Sequence, residues 1–593
     1  MQNFYRFRLM AGLVALAALA TTGCAHNHGD NHGSETSPAH EVKLTHADMA
    51  DFLKTDVSGK PGGKFTEAVF YDPKTFNPLL INEDSSSNIL APVFDGLIMR
   101  NPETLEWEGD LATSWTSSKD NSTWIFKLRK GVKWSDGLPF TADDVTFTFD
   151  LIYDEKISNY FRTNLLFEGK PLAYRKIDDL TVEFKLPSRV GPFLDTMDGL
   201  WILPKHKLEA AWKSGNYNTT WALNAPPADI VGTGPYTISR YTPGQSVSYK
   251  RNPYYWRISA DGKQLPFLDG GVTQIVPDQN TIVLKFESKE TDFVDVRPQD
   301  WASLRSGEAA GDYKTVDAGP TWSCEYLTFN LNPANRKMPE YKRAWFSKKE
   351  FRQAVSYALD RDNMVTTALR GIGRPLCSPV SPADKLFYDN GLKPYTCDRA
   401  KSIALLASMG LSARNSEGVL VDSAGHPVEF TLITNTGNSV RLDLCTIVQE
   451  QLKMVGIKVT INPVEFNSLV ERLITTYDWE AELLGSGGSV DPYAGRDGWT
   501  SSGKNHVWWP EQKRPATPWE AEIDSLFEAA GREPNISKRS ELYVKWQRIM
   551  YEQQPLIFLV TEDSLFAVRN RLKNVRPNSL APIKWNVFEF SER

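Results

Sequence analysis

The sequence has few of the residues from which metal and redox sites are built. Its 593 residues include five cysteines and eight histidines, and no two cysteines have the Cys-x-x-Cys spacing of zinc or thiol-redox sites. Beyond the N-terminal region the histidines are His206, His426 and His506, and neither Gly-x-Ser-x-Gly nor His-Glu-x-x-His occurs. We therefore expect no cofactor, no metal site in the folded part and no hydrolase of these types.

An excess of positive charge is also missing. The chain has 67 Lys and Arg residues and 73 Asp and Glu residues, which give a formal net charge of −6. No basic field is available to gather phosphate groups, so nucleic acid is excluded as a partner. After the N-terminus no run reaches the roughly 20 consecutive apolar residues of a membrane-spanning helix, so the mature chain is predicted to be water-soluble.

The first residues are typical of an export signal. Arg6 and Arg8 precede an apolar run over residues 9–20, which has the length of a signal peptide and is too short to cross a bilayer. We therefore predict that residues 1–23 are a signal peptide and that the protein is exported to the periplasm or the cell envelope.

Cys24 lies in a sequence that resembles a bacterial lipoprotein box, in which the cysteine thiol receives a diacylglycerol. The small residues Thr22 and Gly23 precede it as in that box, whereas Thr21 stands where the box usually has Leu. Residues 18–20 are also compatible with cleavage by ordinary signal peptidase. We expect Cys24 to carry a lipid that anchors the protein to the membrane, with plain secretion as the alternative.

Residues 24–62 are predicted to be a disordered tether. They are rich in His, Gly, Ser, Asn and Asp and have too few large apolar residues to bury a core. His26, His28 and His32 are spaced so that neutral imidazoles could share one Zn²⁺, Ni²⁺ or Cu²⁺ ion. A weak metal-binding tract is therefore the alternative to a solvated linker.

Four cysteines remain after the lipid-bearing one: Cys324, Cys377, Cys397 and Cys445. An even number in an oxidising compartment allows three pairings. We predict the pair Cys377 with Cys397, because it closes a short loop that contains several Pro and Gly residues.

The rest of the chain is too long for one hydrophobic core, since cores stop growing near ~250–300 residues. From Gly63 short apolar strands alternate with amphipathic helices, which indicates an α/β protein of two or more lobes. Helices are predicted at residues 349–371, 439–456 and 536–553. The strand-helix-strand pattern at 430–465 predicts parallel strands with a covering helix.

Three stretches carry a family resemblance. Residues 111–152 contain Leu-Arg-Lys-Gly, Trp-Ser-Asp-Gly and Thr-Ala-Asp-Asp-Val in that order. Residues 231–256 open with Gly-Thr-Gly-Pro-Tyr after Val231 and close with Arg-Asn-Pro-x-Tyr-Trp, and residues 351–365 have Asp-Arg near their end. With these motifs the chain resembles the family 5 extracellular solute-binding proteins, the peptide-type binding subunits of bacterial ABC importers, over nearly all of residues 63–593.

The resemblance implies a type II periplasmic-binding-protein fold. In this α/β fold two lobes joined by hinge strands close over a ligand, and lobe one carries an extra α+β subdomain. Carried onto this chain, it implies lobe one at residues 63–325 and 557–593, the subdomain at about 95–220, and lobe two at 326–556.

The implied function is capture of a small solute, an oligopeptide or dipeptide by preference, and its delivery to an ABC permease and ATPase complex. Such a protein would act as a monomer and carry out no covalent chemistry. The alternatives are a receptor that presents its ligand to a sensor, and a binder of an oligosaccharide or a metal chelate. An enzyme such as a glycosidase is least favoured, because no pair of carboxylates is singled out.

The family lines its ligand cleft with the loop after the first strand, with strands between the lobes and with the segment after the lobe-two unit. Asn435 and Thr436 are added because they lie at a strand-to-helix junction, where exposed amides favour oxygen ligands. The predicted ligand-binding residues are Asn82, Glu83, Asp84, Ser85, Trp322, Asn435, Thr436, Phe466, Gly485, Gly487, Gly488 and Asp491.

One position departs from the family. Oligopeptide binders have an Asp that pairs with the α-ammonium of the peptide, and Gly488 falls closest to that position here. A buried ligand ammonium without a carboxylate is costly. Asp491 or Glu482 could supply the charge, or the glycine amides at 485–488 could receive an anionic or hydroxyl-rich group. A Gly-rich turn that only permits lobe closure is the remaining interpretation.

Mass spectrometry of the mature N-terminus tests the lipid anchor. We expect the intact protein to be heavier than the unmodified chain from Cys24 by a diacylglycerol, because the thiol is the attachment point. Cys24→Ala should remove this mass and move the protein from the membrane fraction to the soluble fraction. An unmodified N-terminal residue in the wild-type protein would contradict the anchor and support plain secretion.

Overall fold

The computed structural model describes Met49, residues 51–81 and residues 83–593. Helices and strands alternate along this part of the chain, which confirms the α/β class. Several predictions concern positions outside the described residues, namely residues 1–23, Cys24, His26, His28, His32 and Asn82.

Short strands and helices succeed one another along the chain. The strands are β1 Leu53–Lys54, β2 Lys64–Val69, β3 Ile98–Arg100, β4 Trp107–Gly109, β5 Ala112–Ser117, β6 Thr123–Leu128, β7 Leu166–Phe167, β8 Lys170–Pro171, β9 Ala173–Asp178, β10 Thr181–Lys185, β11 Tyr236–Thr242, β12 Ser246–Arg251, β13 Arg257–Ile258, β14 Gly270–Ile275, β15 Phe293–Asp295, β16 Tyr313–Pro320, β17 Cys324–Phe329, β18 Gly373–Pro375, β19 Ala413–Arg414, β20 Leu420–Val421, β21 Glu429–Asn435, β22 Lys458–Val464, β23 Ala481–Ser486, β24 Leu556–Arg569, β25 Leu572–Lys573 and β26 Ser591–Glu592. The α-helices are α1 Asp84–Leu90, α2 Ala142–Tyr153, α3 Tyr160–Asn164, α4 Phe193–Thr196, α5 Lys205–Lys213, α6 Gln279–Glu287, α7 Pro298–Gly311, α8 Glu340–Ser347, α9 Lys349–Ala358, α10 Arg361–Thr367, α11 Arg399–Ser408, α12 Ser439–Met454, α13 Phe466–Glu471, α14 Arg496–Trp499, α15 Pro518–Arg532 and α16 Ile536–Gln553.

Three sheets of four or more strands organise the described residues. One is antiparallel in the order β5, β6, β10, β9, and a second has the order β11, β12, β14, β2 with β14 and β2 parallel. The largest has eight strands: β15, β24, β17, β23, β21 and β22 in order, with β16 and β18 also paired to β24. β24 therefore connects most of this sheet.

The predicted strand-helix-strand unit at 430–465 is confirmed. β21 and β22 pair in parallel along their whole length, and α12 connects them. The side chain of Asn438 accepts the N–H of Arg441 at 3.0 Å and so caps the start of α12.

The helix predicted over residues 349–371 is interrupted. The structure has two helices there, α9 and α10, with Leu359 and Asp360 in extended conformation between them. The Asp360 carboxylate accepts the N–H of Asn363 at 2.9 Å, which starts a new helix. Apolar spacing alone does not reveal a cap inside a periodic segment.

Residues 51–62 are folded, although the sequence predicts them as the end of a disordered tether. β1 pairs in parallel with β13. Phe52 is buried, and Leu53 and Val57 pack against the same apolar cluster. These few apolar residues pack against the folded part of the chain. The polar composition averaged over residues 24–62 does not reveal this packing.

The disulfide predicted between Cys377 and Cys397 is not formed. Both are free thiols, as are Cys324 and Cys445. The Sγ of Cys397 donates to the carbonyl oxygen of Ala358 at 3.7 Å, and burial raises the pKa of Cys377 to about 11. A short loop between two cysteines does not by itself orient their side chains toward each other.

The buried apolar residues form two main clusters on opposite faces of the paired strands β17 and β24. On β17, Cys324 and Tyr326 belong to the first cluster, whereas Leu327 and Phe329 belong to the second. Side chains alternate between faces along a strand, so one strand serves both clusters.

The first cluster extends well beyond β17. It contains buried residues between 52 and 268 together with residues between 493 and 550, whereas the second is built mainly from residues between 327 and 483. The first cluster therefore joins residues predicted for lobe one to residues predicted for lobe two. The lobe boundaries themselves stay a prediction.

Three carboxyl groups lie near the guanidinium of Arg441, on strands β17, β23 and β24, and those of Glu325 and Glu482 are buried. Glu325 makes a two-pronged ion pair with it, Nε to Oε2 at 2.9 Å and Nη2 to Oε1 at 3.0 Å. Burial raises the pKa of Glu482 to about 8, with Arg441 opposing the rise. Burial and the charge of Glu325 raise the pKa of Glu562 to about 7. Arg441 is thus paired with Glu325, and the protonated form is favoured for Glu482 and Glu562.

The carboxyl of Glu482 predicts a pH-dependent stability. Its pKa is higher in the folded than in the unfolded chain, so the free energy of unfolding falls as pH rises through the interval from about 5 to 8. Glu482→Gln should remove this cost, so its stability relative to wild type should increase by about 3 kcal/mol from pH 5 to pH 8. Denaturant unfolding at the two pH values measures the difference.

The control for this experiment is Glu429→Gln, which removes a half-exposed carboxylate from the neighbouring strand β21. A stability difference between wild type and Glu482→Gln that is equal at both pH values would contradict the raised pKa.

Candidate ligand cleft

A cavity of ≈ 270 Å³ lies beyond the end of β23. It is bounded by the start of β17, by the loop at residues 379–384, by the segment at 486–499 and by the turn at 505–508. Tyr160 of α3 reaches it from the N-terminal half of the chain, and its hydroxyl lies 3.4 Å from the carbonyl oxygen of Ala494. Cavities near this volume are typical of sites for small ligands.

Tryptophans form much of the wall. Trp322, Trp499, Trp508 and Trp546 all line the cavity. The rings of Trp499 and Trp546 meet edge to face, with centroids 4.9 Å apart. Aromatic walls supply apolar contact area without requiring one particular ligand side chain, so they suit a ligand of variable shape.

Two carboxylates line the same cavity, Asp384 and Asp497. The Oδ1 of Asp497 accepts the N–H of Lys504 at 3.1 Å, and its Oδ2 accepts the N–H of Asn505 at 3.0 Å. Both of its oxygens are therefore engaged within the protein.

Asp384 uses only one oxygen in this way. Its Oδ1 accepts the N–H groups of Leu386 at 2.9 Å and Phe387 at 3.2 Å. Burial raises the pKa of Asp384 to about 7; Asp491 acts in the same direction and Arg100 opposes it. The sequence contains no signal that links this aspartate, in a Pro-rich loop, to the cavity.

Three of the predicted ligand residues line the cavity: Trp322, Gly487 and Gly488. A Cβ at Gly488 would lie 2.3 Å from the main-chain oxygen of Trp322. The position predicted to have lost an aspartate therefore has no room for any side chain. Gly485 lies outside this lining, and a Cβ there would meet the guanidinium of Arg441 at 2.3 Å.

The predicted residues 83–85 form the start of α1. Glu83 caps α1 by accepting the N–H of Ser86 at 2.8 Å, and the hydroxyl of Ser85 also donates to Glu83. Asp84 is the exposed first residue of α1. The lining of the cavity, as the structure describes it, includes none of these residues.

The strand-to-helix junction also lies away from the cavity lining that the structure shows. The Oδ1 of Asn435 accepts from Arg441 at 2.9 Å, and the N–H of Thr436 donates to the carbonyl of Val464 at 2.8 Å. Phe466 is 41% exposed at the start of α13. Asn435 and Thr436 thus make contacts with Arg441 and with the end of β22.

Asp491 is buried and already paired. Its Oδ2 accepts from Nε of Arg539 at 2.9 Å, and its Oδ1 accepts the hydroxyl of Tyr543 at 2.7 Å. It lines a neighbouring cavity of ≈ 190 Å³ together with Arg100 and Asp195, which are themselves paired. Its charge is thus neutralised within the protein.

Among the described residues, no group of three or more His, Cys, Asp or Glu side chains is placed to hold a metal ion. Within the same residues, no helix combines the length and the apolar character needed to cross a bilayer.

Known proteins share this sequence pattern and architecture. The family model of bacterial extracellular solute-binding proteins, family 5 middle, matches residues 106–506. A probable ABC transporter-binding protein of Deinococcus radiodurans is 30% identical over 544 residues, which cover 87% of this chain and 90% of that protein.

Solved structures share the fold over almost the whole chain. The oligopeptide-binding protein AppA of Bacillus subtilis, in complex with a nonapeptide, is 27% identical with a TM-score of 0.76 and covers 90% of this chain and 100% of its own. The periplasmic binding protein MelB of Agrobacterium fabrum, in complex with stachyose, has a TM-score of 0.77 at 21% identity and covers 92% of this chain and 86% of its own.

These matches cover most of the chain. The protein has the two-lobe fold of periplasmic binding proteins. It therefore belongs to the family 5 bacterial extracellular solute-binding proteins, which are ligand-binding subunits of ABC transporters and not enzymes.

Proposed function

We propose that the protein binds a peptide in the cavity beyond β23 and delivers it to an ABC permease and its ATPase. The observation that carries the proposal is this cavity with its aromatic walls and small-residue floor. Ser486, Gly487, Gly488 and Ser489 all line it, so main-chain groups are close to a ligand. Main-chain recognition with tolerant aromatic walls suits peptides of varied sequence.

The residues that line the cavity come from both predicted lobes. Tyr160 and Trp322 come from the part of the chain predicted as lobe one, and the other lining residues come from 326–556. A ligand that contacts both parts stabilises the closed arrangement over the open one, because only the closed state offers all its contacts. The permease would then recognise the loaded, closed form.

The nonapeptide held by AppA, a protein of the same fold and 27% identity, supports a peptide as the ligand. We further propose that the protein works as a monomer, held at the membrane through a lipid on Cys24. The sequence around Cys24 supports this anchor.

An oligosaccharide is the second candidate. Tryptophan faces stack well on sugar rings, and Trp322, Trp499, Trp508 and Trp546 all line the cavity. This ligand would need no buried charge in the cavity.

Native mass spectrometry of the protein purified from its own host tests the proposal. We expect a bound peptide mass that is lost on denaturation, because a ligand enclosed between lobes leaves slowly. Synthetic peptide at about 100 times its Kd should stabilise the protein by about 2.7 kcal/mol in denaturant unfolding. A bound oligosaccharide, with no stabilisation by peptides, would contradict the peptide proposal.

A variant links this ligand to the cavity. Trp322→Ala removes a wall residue and should weaken peptide binding by about tenfold or more, the usual cost of losing a buried aromatic contact. Trp509→Ala is the control, since Trp509 lies outside the lining of this cavity and borders another surface pocket. Equal losses in the two variants would place the ligand elsewhere.

A further inference from the structure

Asp384 is a buried carboxylate with one oxygen unused. The residue is 1% exposed, and its Oδ1 accepts two main-chain N–H groups of its own loop. Its Oδ2 has no hydrogen-bond partner among the described residues. A buried polar atom in this state costs free energy that a partner from outside can recover.

The charge of Asp384 is not neutralised by any cation in the described part of the chain. Arg100 influences Asp384 electrostatically, but Arg100 is paired with Asp195. Asp491 is also close enough to influence it, and it carries the same sign of charge. Within the described residues, Asp384 takes part in no ion pair, so a cation that enters the cavity would meet an uncompensated carboxylate.

The neighbouring carboxylates are not equivalent to it. Asp497 lines the same cavity, but both of its oxygens accept main-chain N–H groups. Asp491 is paired with Arg539 and Tyr543. Glu482 is fully buried on β23 and is not part of the cavity lining that the structure shows. Asp384 is therefore the lining carboxylate that still has an acceptor to offer.

A second unpartnered group lies in the same wall. The indole Nε1 of Trp546 has no acceptor within residues 51–81 and 83–593, and Trp546 is 1% exposed. Asp384 and Trp546, which both line the cavity, thus carry one unpartnered acceptor and one unpartnered donor. A ligand that pairs with both groups needs a cationic donor for the carboxyl group of Asp384 and an oxygen acceptor for the indole N–H of Trp546.

We propose that Asp384 binds the ammonium group of the ligand, and that the indole N–H of Trp546 donates to a carbonyl oxygen of the same ligand. The proposal rests on the peptide function above and specifies which end of the peptide the cavity holds. The carboxylate comes from the loop at 379–384 because the floor at Gly488 is closed by the main chain of Trp322.

The first test compares libraries of synthetic tetrapeptides that lack Lys, Arg and His. One library has free N-termini, the second has acetylated N-termini, and the third is acetylated with one lysine. Wild-type protein is incubated with each library, and retained peptides are identified by mass spectrometry. We expect the free-amine library to be retained about 30-fold or more above the acetylated one, because acetylation removes the charge. Equal retention of the lysine library would overturn the assignment of Asp384 to the N-terminal end of the peptide.

The second test uses Asp384→Asn. The amide keeps an oxygen for the N–H groups of Leu386 and Phe387 but loses the charge. We expect binding of a retained free-amine peptide, measured by calorimetry, to weaken about 30-fold or more. The matched control is Asp389→Asn, in the same loop, whose Oδ1 accepts the N–H of Gly391 and whose carboxylate pairs with Arg548 outside the cavity lining. This control should retain the wild-type affinity.

The possible failures are distinct. Equal retention of free and acetylated peptides by wild-type protein, or equal affinity of wild type and Asp384→Asn, overturns the role of Asp384 and leaves the peptide function intact. Retention of none of the libraries overturns the peptide function and this assignment together. The library comparison uses wild-type protein alone, so it stands even if the asparagine variant folds poorly.

Discussion

The pairing of β17 with β24 is the constraint on which the rest of the structure depends. On β24, Leu556 and Phe558 belong to the first apolar cluster, while Ile557 and Leu559 belong to the second. The period of two along a strand places one set of side chains on each face. A chain too long for a single core thus builds two clusters that share the same strands, and any movement between them must be absorbed close to this pair.

Strands β17, β23 and β24 also bring three carboxyl groups close to one guanidinium. Glu325 on β17, Glu482 on β23 and Glu562 on β24 lie near the guanidinium of Arg441 at the start of α12. The unit β21, α12, β22 is therefore tied to the central strands by an ion pair as well as by sheet hydrogen bonds. The geometry behind the floor of the cavity depends on that attachment, because β23 lies between β17 and β21 and ends at Ser486.

The floor and the walls of the cavity are built from different kinds of residue. At the floor of the cavity only glycine fits, because the main chain of Trp322 comes so close to Gly488 that there is no room for a side chain. Its walls must be apolar and tolerant, which tryptophans provide. A carboxyl group therefore reaches the cavity from a loop, residues 379–384, and not from a strand of the sheet. Loops on a rigid scaffold can place a side chain without altering the packing beneath it.

The sequence alone determined the fold class, the parallel β21–β22 unit and the family, because periodicity and ordered motifs are local properties of the chain. Three residues that it predicted as ligand contacts, Trp322, Gly487 and Gly488, line the cavity beyond β23. The sequence did not separate α9 from α10, recognise that residues 51–62 fold, or show that Cys377 and Cys397 stay apart.

Only the tertiary structure decided which polar groups have partners. Glu83 and Asn435 have the composition expected of ligand contacts, yet a helix cap and an arginine use their oxygens. Asp491 has the right position in the sequence, yet Arg539 neutralises it. Asp384 has an unused oxygen that no sequence pattern marks. Hydrogen-bond partners come from residues far apart in the chain, so satisfaction of a buried group is a property of the fold and not of its local sequence.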